Sequence, residues 1–227
     1  MWRRVFPPIH PDGWRFIAAF AAATLFLFWL AWPLGWIGAA LTQWCIAFFR
    51  DPWRVSPQRA GLVLSPADGT VVTIDEAVPP EELEMGPAPM RRIGIFLSLL
   101  DVHINRTPAA GKVMKLAYRP GRFLNASLDK ASEENERMAV RLKTADTDIA
   151  FVQIAGLVAR RIVCNLIEGQ EVAAGQRFGL IRFGSRADIY LPLAAAHFAV
   201  LGQRMIAGES VIADLFARET PRQGLVH

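Results

Sequence analysis

Apolar residues are unevenly spread along the chain. From Phe16 to Phe49 there is no charged side chain, whereas beyond Asp51 the apolar runs are short and punctuated by glycine, proline and aspartate. As one straight helix the first stretch would measure roughly 50 Å, well beyond a hydrocarbon core of about 30 Å. Pro33 and Gly35 divide it almost in half, and Trp29, Trp32 and Trp36 gather at the break as an interfacial aromatic belt would. The pattern therefore predicts a hydrophobic helical hairpin within residues 1–52, with helices over 16–32 and 34–49. Arg3, Arg4 and Arg15 precede it and Arg50 and Arg54 follow it. The positive-inside rule then puts both ends on the cytoplasmic face of the cell membrane. A cleaved signal peptide would have a shorter apolar run and a small-residue exit.

Residues 53–227 read differently. Segments 61–64, 70–74, 92–100 and 113–118 are strand-like runs bounded by turn residues. Segments 149–155 and 157–167 predict a hairpin about Gly156. The proline- and glutamate-rich stretch 78–89 predicts a solvated loop, and the polar stretch 127–137 a loop or short helix. Two heptapeptides repeat one another: Gly169-Gln-Glu-Val-Ala-Ala-Gly175 and Gly202-Gln-Arg-Met-Ile-Ala-Gly208. Paired glycines around an apolar centre suit tight turns between short strands, because glycine reaches positive φ without steric cost. This resembles the turns of barrel-sandwich carrier domains, but neither repeat holds the lysine that would carry a prosthetic group. The fold class expected is mainly β: a barrel-sandwich-like domain with short helices, preceded by the hydrophobic hairpin.

Composition narrows the function classes. The 227 residues are 52% hydrophobic and 20% charged, with a mean hydropathy of +0.25 and a formal charge of +4. That excludes intrinsic disorder. Basic residues are interleaved with acidic ones instead of being concentrated on one element, which argues against a nucleic-acid partner. Cys45 and Cys164 stand in apolar surroundings without metal or redox spacing, so neither a disulfide framework nor a metal site is expected.

Three segments carry candidate chemistry. His103 ends the apolar run of Phe96-Leu-Ser-Leu-Leu-Asp-Val-His103 and opens a polar cluster closed by Pro108. Ser65-Pro-Ala-Asp-Gly-Thr70 taken alone is a turn with Asp68 at its corner. Arg182-Phe-Gly-Ser-Arg186 contains the one Gly-Ser dipeptide of the chain. With no side chain on Gly184, the Ser185 hydroxyl can approach the preceding carbonyl carbon. An N-to-O acyl shift, elimination and hydrolysis would then leave a pyruvoyl ketone, an electron sink for amine substrates through a Schiff base.

Taken in order, Ser-Pro-Ala-Asp-Gly, Phe-Leu-Ser-x-x-Asp-Val-His, Pro120-Gly-x-Phe-x-Asn125, Glu134-Asn-Glu-Arg137 and Phe-Gly-Ser-Arg resemble the short bacterial and archaeal form of phosphatidylserine decarboxylase. The resemblance runs from the hairpin to about Leu215. It implies self-cleavage between Gly184 and Ser185, giving a β chain of residues 1–184 and an α chain of 185–227. Ser185 would become the covalent pyruvoyl cofactor. The partners implied are phosphatidylserine in the membrane and a heterodimer of the two chains, alone or further oligomerised. His103 matches a family histidine of the proton chemistry, and Asp68 the aspartate of an Asp-His-Ser arrangement for self-cleavage. Longer members carry a second histidine where this chain has Arg106, which implies either dual use of His103, the favoured reading, or a cleavage that relies mainly on backbone strain and Asp68. Arg106, Arg182 and Arg186 are candidates for the substrate phosphate or carboxylate, and Asn125 and Asn135 for ordering the site. Pyridoxal phosphate is not expected, since Lys112, Lys115, Lys130 and Lys143 stand in polar contexts. Two other readings stay open: a decarboxylase of another serine-headed lipid such as archaetidylserine, and a non-catalytic membrane-tethered β-sandwich that binds a partner.

Overall fold

The structure, a computed structural model, describes residues 7–121, 134–156, 161–182 and 185–217, together with 219, 222 and 224. The chain divides into two compact units, Met1–Trp53 with Leu100–Val102, and Arg54–Leu99 with His103–His227.

The first unit is a helical hairpin. Helices α1 (Trp14–Leu30) and α2 (Trp32–Phe48) are joined by Ala31 alone, which is extended at φ −161°. The break thus precedes the expected one at Pro33. Proline is tolerated in the first turn of a helix, where its missing N–H has no intrahelical acceptor, so Pro33 starts α2. Small residues let the helices close. Side chains at positions 35 and 38 would run into Phe28 and Thr24, and the Thr24 and Thr42 hydroxyls meet at 2.9 Å. The open end is pinned by His10 N–H to Phe49 C=O at 2.9 Å and Asp51 N–H to Pro8 C=O at 2.7 Å. With the short 3-10 turn ahead of α1, Pro11–Leu30 forms a 20-residue helix long and apolar enough to cross a membrane.

The second unit is built of strands. In chain order they are β1 (Leu62–Leu64), β2 (Gly69–Ala77), β3 (Met90–Leu97), β4 (Ile104–Arg106), β5 (Gly111–Arg119), β6 (Arg137–Lys143) and β7 (Asp148–Ala155). Then come β8 (Ile162–Cys164), β9 (Glu171–Val172), β10 (Arg177–Ile181), β11 (Ser185–Leu191), β12 (Ala196–His197), β13 (Arg204–Met205) and β14 (Val211–Asp214). An eight-stranded sheet has the order β13-β2-β3-β11-β7-β6-β5-β9, and two three-stranded sheets have the orders β4-β10-β8 and β1-β14-β12. The mainly β expectation is met.

The large sheet curls. Its two edges, β9 and β13, each belong to one heptapeptide repeat, and Gly175 of one repeat packs on Gly208 of the other. All four repeat glycines have positive φ, between 73° and 85°. Gln170 and Gln203 play matching parts: their side chains accept the N–H of Ile167 and of Val200 at 3.1 Å. The β4-β10-β8 sheet covers one face of the large sheet, with Phe151 and Phe178 edge to face at 5.0 Å. Ile93, Ile95, Leu97, Ile149, Phe151, Ala187, Ile189 and Leu191 fill the core on that face.

Three sequence expectations are corrected. Segment 149–167 is no hairpin: β7 pairs with β6 and β11, while β8 crosses to the small sheet beside β10. Both runs are largely apolar in sequence, so periodicity could not name their partners. The 78–89 stretch contains a 3-10 turn, Glu81–Leu83, whose Leu83 is fully buried on the far face of the large sheet. Within 127–137, Arg137 begins β6, and residues 127–133 lie outside the described part.

Candidate active site

Ser185 opens β11, the strand at the middle of the large sheet. It faces Leu97 of β3 on one side and Ala155 of β7 on the other. Alternation along β11 sends Ser185, Ala187, Ile189 and Leu191 to the covered face and Arg186, Asp188 and Tyr190 to the other. Ser185 is wholly buried, and its Oγ meets no hydrogen-bond partner among the described residues. A buried hydroxyl without a partner costs about 1–3 kcal/mol. Gly184 lies outside the described residues.

The chain returns to this end of the sheet at His103. β3 ends at Leu97, opposite Ser185, and six residues later His103 leads into β4. The His103 carbonyl accepts the N–H of Ile181 at 3.4 Å, at the end of β10 that runs toward Ser185. His103 is almost fully buried.

Asp68 sits on the loop between β1 and β2. That loop is laid against β4: Arg106 N–H donates to the Pro66 carbonyl at 2.9 Å. Ser65 steadies the loop by donating its hydroxyl to the Ala67 carbonyl at 2.7 Å. Position 69 must be glycine, because a Cβ there would strike the Phe96 carbonyl. Both carboxylate oxygens of Asp68 are engaged, Oδ1 by the Ala207 N–H at 2.8 Å and Oδ2 by Arg54 Nη2 at 2.7 Å. The Ser-Pro-Ala-Asp-Gly and Asp-Val-His motifs therefore meet through β4, beside β10, whose chain leads on to Ser185.

The remaining sequence candidates fall in several places. Asn135 donates Nδ2 to the Ala155 carbonyl at 2.7 Å and so fastens the residue that pairs with Ser185. Asn125 lies outside the described residues. Arg106 donates to the Gly175 carbonyl at 2.9 Å and lines a concavity of about 520 Å³ with Arg54 and Arg177. Arg182 is buried after β10, its N–H directed at the Arg161 carbonyl at 3.3 Å. Arg186 is turned to the opposite face, fully buried and paired with Asp188, its guanidinium filling the space that a side chain at Gly94 would need. On that face burial, reinforced by Asp188 and opposed by Arg92, pushes the Tyr190 hydroxyl up to about 12.

Two buried polar residues were not anticipated. Gln153 of β7 shares the covered face with Ser185 and donates Nε2 to Asn105 Oδ1 at 2.9 Å and to the Val163 carbonyl at 3.3 Å. Asn105 in turn directs Nδ2 at the Pro66 carbonyl at 3.5 Å. A signal for Gln153 was available, since it is the one polar residue within the apolar run Ile149-Ala-Phe-Val-Gln-Ile-Ala155.

This arrangement was compared with known proteins. The family model described as phosphatidylserine decarboxylase matches residues 41–213. A protein from Paramagnetospirillum magneticum named phosphatidylserine decarboxylase proenzyme is 60% identical over 218 residues, covering 96% of this chain and 91% of the relative. The chain belongs to the phosphatidylserine decarboxylase family. A second relative with the same name, from Cereibacter sphaeroides, is 56% identical over 218 residues, covering 96% of this chain and 94% of its own length.

Proposed function

We propose that this chain decarboxylates phosphatidylserine to phosphatidylethanolamine, using a pyruvoyl group that it makes from Ser185. The observation that carries the reading is the buried Ser185 hydroxyl, without a hydrogen-bond partner among the described residues, at the start of a central strand in a member of this family. The residues present fit such a group. Ser185 stands at a strand end, so an interruption ahead of it leaves the β11 ladder intact, and its neighbours Leu97 and Ala155 are uncharged.

Maturation needs only the chain itself and water. Ser185 Oγ bonds to the Gly184 carbonyl carbon and the Gly184 C–N bond breaks, leaving an ester and a free amine. Elimination then breaks the Cβ–Oγ bond and releases the Gly184 carboxylate. The dehydroalanine left at 185 takes up water and loses ammonia, which leaves the ketone. His103 accepts the hydroxyl proton on its imidazole, the general-base role histidine commonly takes. Asp68, held by Arg54 and the Ala207 N–H, supports the positive charge that the imidazole gains. With Arg106 where longer members have a histidine, His103 also handles the proton delivered to the substrate carbon. Once formed, the ketone supplies the electron sink into which the pair released with carbon dioxide moves. Among the three candidate arginines, Arg106 is the one beside an open concavity, which supports it as a contact for the lipid phosphate.

The mature protein is then a heterodimer of residues 1–184 and 185–227. The hairpin of residues 1–52 tethers the catalytic domain of residues 53–227 to the membrane, with its flanking arginines on the cytoplasmic face. Denaturing mass spectrometry tests this reading. We expect two chains in place of one 25.2 kDa species, and a Ser185→Ala variant that stays intact and forms no phosphatidylethanolamine from phosphatidylserine vesicles. An intact wild-type chain that nevertheless decarboxylates would overturn it.

A further inference from the structure

The turn between β3 and β4 presents two large apolar side chains to the outside. Leu99 is 41% and Leu100 73% exposed, while Asp101 and Val102 after them are buried. Single exposed leucines are ordinary on any protein surface. This pair is set apart by what holds it. The Arg50 guanidinium donates to the Ala47 carbonyl at 2.5 Å and to the Leu100 carbonyl at 2.7 Å, which ties the turn to the last turn of α2. Leu100–Val102 belong with the hairpin to one compact unit, although the strands on either side of them do not. Trp14, which opens α1, and Trp53, which follows α2, are exposed in that same unit. With 17 residues α2 measures about 25 Å, close to the ~30 Å of a hydrocarbon core. A hairpin inserted by its tip therefore brings its last turn, and Arg50 with it, to the boundary between acyl chains and head groups. Arginine and tryptophan are both suited to that boundary, the first by keeping its charge outside while its stem lies in the apolar layer. An exposed leucine is better covered there than in water.

We infer that the Leu99–Leu100 turn is a further point of contact with the lipid bilayer, beside the two helices, and that it holds the segment leading to His103 at the level of the head groups. Asp101 and Val102 alone separate Leu100 from His103. Even fully extended, the chain keeps the His103 Cα within about 11 Å of the Leu100 Cα. The serine of phosphatidylserine is its head group, so the base and the reacting part of the substrate share one layer. Lipid is the occupant, and not a second protein, because Arg50 ties the turn to a helix that ends at the bilayer surface. The inference rests on the proposed insertion of the hairpin and on the proposed decarboxylation.

The test uses the full-length chain in vesicles of phosphatidylcholine and phosphatidylglycerol, with Cys45→Ala and Cys164→Ala so that one nitrobenzoxadiazole label can be placed. On Leu100→Cys we expect blue-shifted emission, strong quenching by a lipid with a nitroxide near its head group, and little quenching by iodide. A label that iodide reaches and the nitroxide lipid does not would overturn the inference. So would a label shielded from both, as contact with another protein gives. Leu25→Cys in α1 is the reference. If lipid nitroxides fail to quench a label there, insertion of the hairpin itself is wrong, whereas quenching at 25 without quenching at 100 sinks only the turn. Activity gives a second readout. Leu100→Ser should lower turnover of phosphatidylserine in vesicles, relative to a dispersed short-chain substrate, by about three-fold or more, and Leu100→Phe should keep the wild-type ratio. An unchanged ratio in Leu100→Ser overturns the role given to the turn. A wild-type protein that turns over neither substrate sinks the decarboxylation and leaves the depth measurement to decide the contact.

Discussion

The hairpin and the β unit differ in what they leave outside. Around its turn the hairpin exposes large apolar residues, Trp29 79% and Leu25 72%, and closes its helices through Gly35, Gly38, Thr24 and Thr42, while Ile17, Cys45, Phe48 and Phe49 are buried toward its open end. In the β unit Ile93, Leu97, Phe151 and Ile189 are buried, and so are Ser185, Arg186, Asp188 and Gln153. Each unit hides what its surroundings do not solvate. A hairpin with its leucines and tryptophans outside fits an apolar solvent, where helices associate through small residues and hydroxyls. The β unit fits water outside and can then spend its interior on a few costly polar groups.

Removing Asp188 should sharpen the contrast most. Asp188→Ala takes a carboxylate partner away from the Arg186 guanidinium at zero exposure. A loss of about 3–5 kcal/mol is expected, read as a collapse of the melting temperature in denaturation of the purified protein. Gly35→Val comes next and tests the hairpin interior: the added side chain would overlap Phe28, costing about 1–3 kcal/mol of helix association, measurable in detergent by helix-helix distance reporters. Deleting residues 1–50 asks whether the two units divide their labour. Self-cleavage should persist while turnover of phosphatidylserine in vesicles falls about ten-fold or more, because the tether no longer raises the effective concentration at the bilayer; an equal fall on a short-chain soluble substrate would refute that division. A Thr24→Val, Thr42→Val double-mutant cycle should give a coupling of only about 0.6 kcal/mol.

The smallest effect expected concerns His197 in the β unit. Burial, with a contribution from Arg91 and against a backbone hydrogen bond at Ala199, pulls its imidazole below the usual value of 6.5. Above that pH both folded and unfolded forms are neutral and the group is silent. As pH falls through 6.5 the unfolded chain takes up the proton first, so stability declines until the folded imidazole also titrates. His197→Gln should flatten the acid side of the stability profile in that window, seen in urea midpoints between pH 7 and 5.

Much of this architecture was legible in sequence. The uncharged stretch announced the hairpin, and the glycine pairs of the two heptapeptides announced turns whose φ values are indeed positive. The break between helices was misplaced because Pro33 and Gly35 both look like breakers, yet a first-turn proline and a glycine under a phenylalanine ring are each compatible with helix. Strand partners were less visible. Nothing local distinguishes a β7 that joins β6 and β11 from one that folds back on β8, since pairing is decided by which apolar faces meet across the whole core. Asp68, His103 and Ser185 were singled out because their motifs stand in the order of the resembling family, whereas the direction in which Arg186 points follows only from strand alternation, which puts it on the face away from Ser185. Gln153 carries no motif, and only its burial in an apolar run sets it apart.

The central position of β11 has a consequence for the life of the protein after a cut ahead of Ser185. Residues 185–191 lie between β3 and β7, so the short fragment that begins there is clasped on both edges by the long one. Loss of one covalent bond changes no ladder, but it changes the order of the unfolding reaction. An intact precursor unfolds as a single molecule, independent of dilution. A cut one must come apart into two, so its endurance grows with concentration and its return becomes a bimolecular search. On the proposed cleavage, the precursor would be the species that refolds as one molecule, and the cut would give up that reversibility.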